Sequence, residues 1–102
     1  MLKELFSSRA GFGLIDGQAL CRADWPIGKL MLDKQALTLD ALFVSYRIPL
    51  RDVSRIQSPI VSFRIEYHKE GLPKTIEVWG WRLFKRLRDA AGRNSISLEF
   101  VL

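Results

Sequence analysis

Few side chains in this chain of 102 residues could start covalent chemistry. There is one cysteine, Cys21, and one histidine, His68. A thiol can serve as a nucleophile beside an imidazole base, but no local motif surrounds either residue, and Cys21 reads as a packed thiol. A single cysteine cannot close an intramolecular disulfide, which suits a reducing compartment. One His and one Cys cannot supply a zinc site of the usual His/Cys type. Gly11-Phe12-Gly13 begins like a dinucleotide-binding loop, yet position 16, where the third glycine belongs, is aspartate. No Walker sequence occurs, and the eleven acids are dispersed without a close pair. The expectation is a protein that is not an enzyme, with no catalytic residue, no metal and no cofactor.

The charges point to binding. The net charge is +5 and the pI about 9.8. Four of the five net charges fall in residues 82–93, where five cations face only Asp89. Arg82, Lys85, Arg86 and Arg93 lie opposite an apolar stripe and form a candidate basic helix face. Such a face can meet nucleic acid or anionic lipid, or it can simply be solvated. An RNA-reading sheet would show paired aromatics on an exposed strand face, and only Trp79 stands on such a face. Trp79 is either covered by the N-terminal turn or the last strand, or it anchors a partner. Trp81 is expected to pack into the core or the helix seam.

The elements that position these residues follow from periodicity. Val61, Phe63, Ile65 and Tyr67 alternate with polar residues, and Lys74 to Trp79 alternates again, which predicts an antiparallel hairpin with a loop at 69–73. The register that keeps both apolar faces together sets Phe63 opposite Val78, Ile65 opposite Ile76 and Arg64 opposite Glu77. After Gly80 the period changes. Leu83, Phe84, Leu87 and Ala91 recur at helical spacing, predicting an amphipathic helix that Gly92 stops. Upstream, Gly11 to Cys21 reads as a bent or bulged strand and 22–26 as a loop. Leu30 and Leu32, then Leu37 and Leu39, suggest two strands around a turn at 33–35. Leu32, Ala36, Leu39 and Phe43 also fit a helix, so the sequence leaves 29–44 open between the two. Pro49 is expected on an edge strand or at a bulge. Residues 1–8 read as a short amphipathic turn. Ser95 to Leu102 alternates and is expected to add a strand, docked on its own chain or on a neighbour.

The whole is expected to be one domain. The longest uncharged run, Ile56 to Phe63, is eight residues, far short of the ~20 that span a bilayer. The start, with Lys3 and Glu4, does not resemble a signal peptide, and the cytoplasm is the expected location.

This order of short strands, a proline-containing bend, one long hairpin and one amphipathic helix resembles the pleckstrin-homology-like superfold, above all its GRAM and small bacterial members. The residues that carry the resemblance are Gly28-Lys29-Leu30-Met31-Leu32, Ala36-Leu37-Thr38-Leu39, and Ile48-Pro49-Leu50-Arg51-Asp52-Val53 with Ile56, followed by the hairpin 61–79 and the helix from about 81 to 91. The similarity covers about residues 11–92. It implies a mostly-β fold: a partly open barrel of two antiparallel sheets, about seven strands, capped by one C-terminal helix, with 95–102 as a possible extra strand. It also implies that loops 21–28, 40–46 and 68–74 share the open end. These would gather Arg22, Lys29, Arg47, His68, Lys69 and Lys74 into a patch able to hold a phosphate or an anionic lipid. The run of basic residues found in phosphoinositide-binding relatives is missing from the first hairpin. The first functional reading is therefore a non-catalytic domain that binds a protein partner or its own copies, the latter through Ser95–Leu102. The alternatives are an anionic-lipid or phosphoinositide module, and a nucleic-acid accessory protein.

Overall fold

A computed structural model describes residues 4–14, 22–41, 44–58 and 62–101. Eight strands form one open sheet: β1 (Phe6–Leu14), β2 (Arg22–Leu32), β3 (Ala36–Ala41), β4 (Val44–Pro49), β5 (Val53–Gln57), β6 (Ser62–Lys69), β7 (Leu72–Trp79) and β8 (Phe100–Val101). One helix, α1 (Leu83–Arg93), lies between β7 and β8. The strand order is β4-β3-β2-β1-β7-β6-β5-β8. The fold is mostly β, an unclosed barrel with a C-terminal helix and the extra last strand.

The two expected sheets are joined through β1. Its first half pairs with β2, from Phe6 opposite Leu32 to Ala10 opposite Gly28. Its second half also pairs with β7, from Gly11 opposite Trp79 to Leu14 opposite Ile76. Between Ala10 and Phe12 the register with β2 slips, since Phe12 faces Ala23 while Ala10 faces Gly28. The surplus residues on β2 make an irregularity of the bulge type, which bends the strand. Residues 22–26, expected as a loop, are therefore the far end of β2. The N-terminal turn expected over 1–8 is also shorter: β1 starts at Phe6, and the Leu5 N–H already donates to Leu32 O at 2.8 Å. The ordered core thus begins before residue 11. Cys21, Phe43, Val61 and Leu102 lie outside the described residues.

Residues 29–41 form a hairpin, not a helix. The Asp33 carboxylate accepts the N–H groups of Gln35 and Ala36 through Oδ1, at 2.7 and 2.9 Å. This Asp-turn offers the backbone an alternative to the helical ladder. It also lets Leu30, Leu32, Leu37 and Leu39 enter one core, each fully buried. Pro49 ends β4, an edge strand where its missing N–H breaks no central ladder. A one-turn 3-10 helix, Leu50–Asp52, then carries the chain to β5.

The β6–β7 register is the expected one, with Phe63 opposite Val78, Arg64 opposite Glu77 and Ile65 opposite Ile76. Its connection is tighter than the loop expected at 69–73: Lys69 pairs with Leu72 and only Glu70 and Gly71 turn, both at positive φ (55° and 79°). That is the signature of a type I′ turn, whose twist matches the strands.

Helix α1 lays Leu83, Leu87, Ala90 and Ala91 on the core, all buried. It does not stop at Gly92. The Ile96 N–H reaches Ala91 O and the Ser95 N–H reaches Gly92 O, at 2.9 and 3.2 Å. This is a Schellman ending in which Ser95, at φ 56°, takes the left-handed position. The chain then turns back, and β8 pairs in parallel with β5 of the same chain. Phe100 packs edge-on against Phe84 at 5.7 Å. The strand proper is two residues long, shorter than the 95–102 expected, although Ile96 and Leu98 also pack against the core.

Candidate functional site

The segment between β7 and α1 holds the most unusual local chemistry. Gly80 lets Leu83 close beneath it, where a Cβ would stand 3.0 Å from Leu83 Cδ2. Arg82, the residue before the helix, is left-handed at φ 51° and ψ 29°, with no side-chain capping hydrogen bond. For a non-glycine residue that backbone costs about 1–2 kcal/mol. The turn sends Leu83 into the core and leaves Trp81 78% exposed. Trp81 therefore does not enter the core or the helix seam as its hydrophobicity led one to expect: Leu83, beyond the left-handed Arg82, takes the buried place.

Beside Trp81 lies a concavity of about 430 Å³ lined by Ser58, Ser62, Phe63, Phe84, Arg82 and Lys85, among others. Among the described residues two cations and no acid line it, and the first turn of α1 carries no acidic residue. The positive end of the helix dipole points the same way. An indole, two cations and a partly apolar floor can receive an acidic segment that carries an apolar side chain.

The remaining helix cations do different things. Arg86 donates through Nη1 to Trp81 O at 3.4 Å and stacks over Phe6, 5.6 Å from the ring centroid. Arg88 stands 5.9 Å from the centroid of Phe84. Arg93 sits exposed at the other end of the helix. The basic face read from the sequence is thus divided: Arg82 and Lys85 at the concavity, Arg86 holding the turn, Arg93 apart.

Trp79 is half-buried and lies in the middle of the sheet, opposite both Gly11 and Ser62. Its indole covers Gly11, where any Cβ would fall inside the ring. The neighbouring strand β1 thus covers one side of the ring at Gly11. The exposed indole among the described side chains is Trp81. Sequence reasoning missed this because two tryptophans flanking one glycine look alike until the left-handed residue at 82 is known.

The five described side chains of the six expected at the open end lie on different parts of the sheet. His68, Lys69 and Lys74 share the turn end of β6–β7, where the Ser54 hydroxyl meets His68 Nδ1 at 3.0 Å. Lys29 lies within β2, between Arg9 and Asp40. Arg47 lies in β4 opposite Thr38 and reaches toward the β2–β3 turn, its Nη1 3.5 Å from Asp33 Oδ2. The side chain of Arg22 lies outside the described residues. Lys29 and Arg47 are separated by β3, where Asp40 faces Lys29 and Thr38 faces Arg47.

Asp33 has the one displaced carboxyl among the described residues. Partial burial pushes its pKa up, but the N–H bonds of Gln35 and Ala36 and the charge of Arg47 outweigh this and hold it below its ordinary value of 3.8. Among the described residues no group of three or more His, Cys, Asp or Glu could hold a metal ion, and no helix is long and apolar enough to cross a membrane. No protein-family model matches the chain, and no curated protein or solved structure does so either.

Proposed function

We propose that this chain is a non-catalytic, pleckstrin-homology-like interaction domain that binds an acidic segment of another protein at the N-terminal end of α1. The reading is carried by one observation: Trp81 is 78% exposed beside the cationic concavity of Arg82 and Lys85. Tryptophan flanked by basic groups is a typical anchor for a partner, because a large rigid apolar surface is desolvated next to charges that fix orientation. The strained backbone at Arg82 points the same way, since such residues cluster where function requires them. A second copy fits the site less well, for it too carries a net charge of +5.

A photo-crosslinking amino acid at position 81, used in cells, tests the reading. A discrete protein adduct that disappears with Lys85→Glu supports it. A lipid adduct would favour an anionic membrane surface instead, and no adduct would overturn the proposal. Arg82→Gly separates function from folding. It relieves the left-handed strain and should raise stability by about 1 kcal/mol, while the adduct weakens.

A further inference from the structure

At the opposite end of α1, the β2–β3 turn, the end of β4 and the 3-10 turn surround a second concavity of about 520 Å³. It is lined by Lys34, Gln35, Ala36, Arg47, Pro49, Leu50 and Arg51. Three cations from three separate elements converge here, and all three are exposed. Two acids stand nearby: Asp52, next to Arg51 in the 3-10 turn, and Asp33, whose Oδ2 contacts Arg47 at a long 3.5 Å while its Oδ1 accepts two backbone N–H groups. Neither Lys34 nor Arg51 contributes to the core. Their convergence costs Coulomb repulsion that an anion between them would reverse.

We infer that the Lys34–Arg47–Arg51 concavity binds a phosphate group. A guanidinium fork presents paired donors to a tetrahedral oxyanion, and lysine adds a mobile point charge. The Asp33 turn fixes Lys34 and orients Arg47, so part of the ordering is done before the ligand arrives. No aromatic side chain lines the concavity, which leaves nothing on which a nucleic-acid base could stack. The neighbouring hollow shares Lys34 but faces Asn94 and Ser95. There the negative end of the helix dipole repels an anion, so the phosphate belongs on the Arg47 and Arg51 side. The site is independent of Trp81 and stands or falls without it.

The test is a titration of the full chain with inorganic phosphate, followed by amide NMR, against chloride at equal ionic strength. Saturable shifts at Lys34, Gln35 and Arg51 are expected. Arg51→Gln and Lys34→Gln should each weaken binding about tenfold, the scale of one charge-assisted hydrogen bond. Arg64→Gln, on β6 and outside the lining of the concavity, should not. Arg47→Gln is less informative because it also loosens the turn. Sedimentation with phosphatidylcholine vesicles, with and without phosphatidic acid, identifies the source. Pelleting that needs phosphatidic acid and is lost in Arg51→Gln assigns a lipid headgroup; shifts with free phosphate and no pelleting assign a soluble phosphate. Shifts that chloride reproduces, that do not saturate, or that survive both Lys34→Gln and Arg51→Gln would overturn the site.

Discussion

Among the described residues three that are not glycine, Glu70, Arg82 and Ser95, hold the left-handed backbone. Each occupies a turn where glycine or asparagine would be easier, and each reverses the chain next to a buried element. Ser95 offers the cleanest measurement. It makes no side-chain contact the Schellman ending needs, since that ending is built from backbone groups. Ser95→Gly should therefore raise stability by about 1 kcal/mol, read as an increased denaturation midpoint at unchanged m-value. Asp33 has a pH signature. Its carboxyl is lowered in the folded protein, so its contribution is complete above the ordinary value and is lost as the pH falls through the folded value. In Asp33→Asn the amide still accepts the turn N–H bonds but carries no charge. Urea titrations across acidic pH should show a smaller loss of stability for this variant than for the native chain, and an equal loss would remove Asp33 from the account.

Helix α1 packs its apolar stripe on the sheet, reaching β6 and β8 through Phe84 and lying against β1. Leu87 is fully buried, and Phe84 bridges from Phe63 on β6, at 5.9 Å, to Phe100 on β8. Leu87→Ala should cost about 2–5 kcal/mol, as for a core leucine whose cavity does not collapse. A change below about 0.5 kcal/mol in chemical denaturation is the size of a surface substitution and would contradict this packing. The hairpin pair Arg64 and Glu77 is a weaker device. The groups are 3.8 Å apart and partly exposed, so the pair is worth under about 1 kcal/mol; the register is held by Phe63, Ile65, Ile76 and Val78 beneath it.

For the molecule as a whole, the open question raised by the alternating C-terminus was whose edge it covers. β8 runs along β5 of its own chain, with the Ile56 N–H donating to Glu99 O and the Ser58 N–H to Val101 O, at 2.8 and 2.9 Å. Truncation after Arg93 should leave the mass in solution unchanged. It should lower stability by at least about 2 kcal/mol, the burial of one or two apolar side chains. Light scattering with thermal denaturation reads both, and a fall in mass would mean that the tail exchanges between copies. The two concavities described above lie at opposite ends of α1, so a partner at Trp81 and a phosphate at Arg51 need not compete.

The sequence alone determined the elements whose pattern is local. The two-residue period at 61–79 allows one register that buries both apolar faces, and the helical stripe of Leu83, Leu87 and Ala91 can only face a core. The same holds for a Pro49 kept out of any central strand and for a tail that packs its apolar side chains on the core, although only Phe100 and Val101 of it are strand. What the tertiary structure decided is everything that depends on a neighbour distant in sequence. The choice of hairpin over helix at 29–41 rests on Asp33 capturing two N–H groups and on four leucines meeting the rest of the core. The extension of β1 to Phe6 rests on the edge that β2 offers it. Trp79 is covered and Trp81 exposed because Gly11 lies across the sheet from one and a left-handed arginine follows the other. The cations grouped by loop position were dispersed, and Lys34, Arg47 and Arg51 were brought together, because strand register rather than proximity along the chain sets which side chains share a surface.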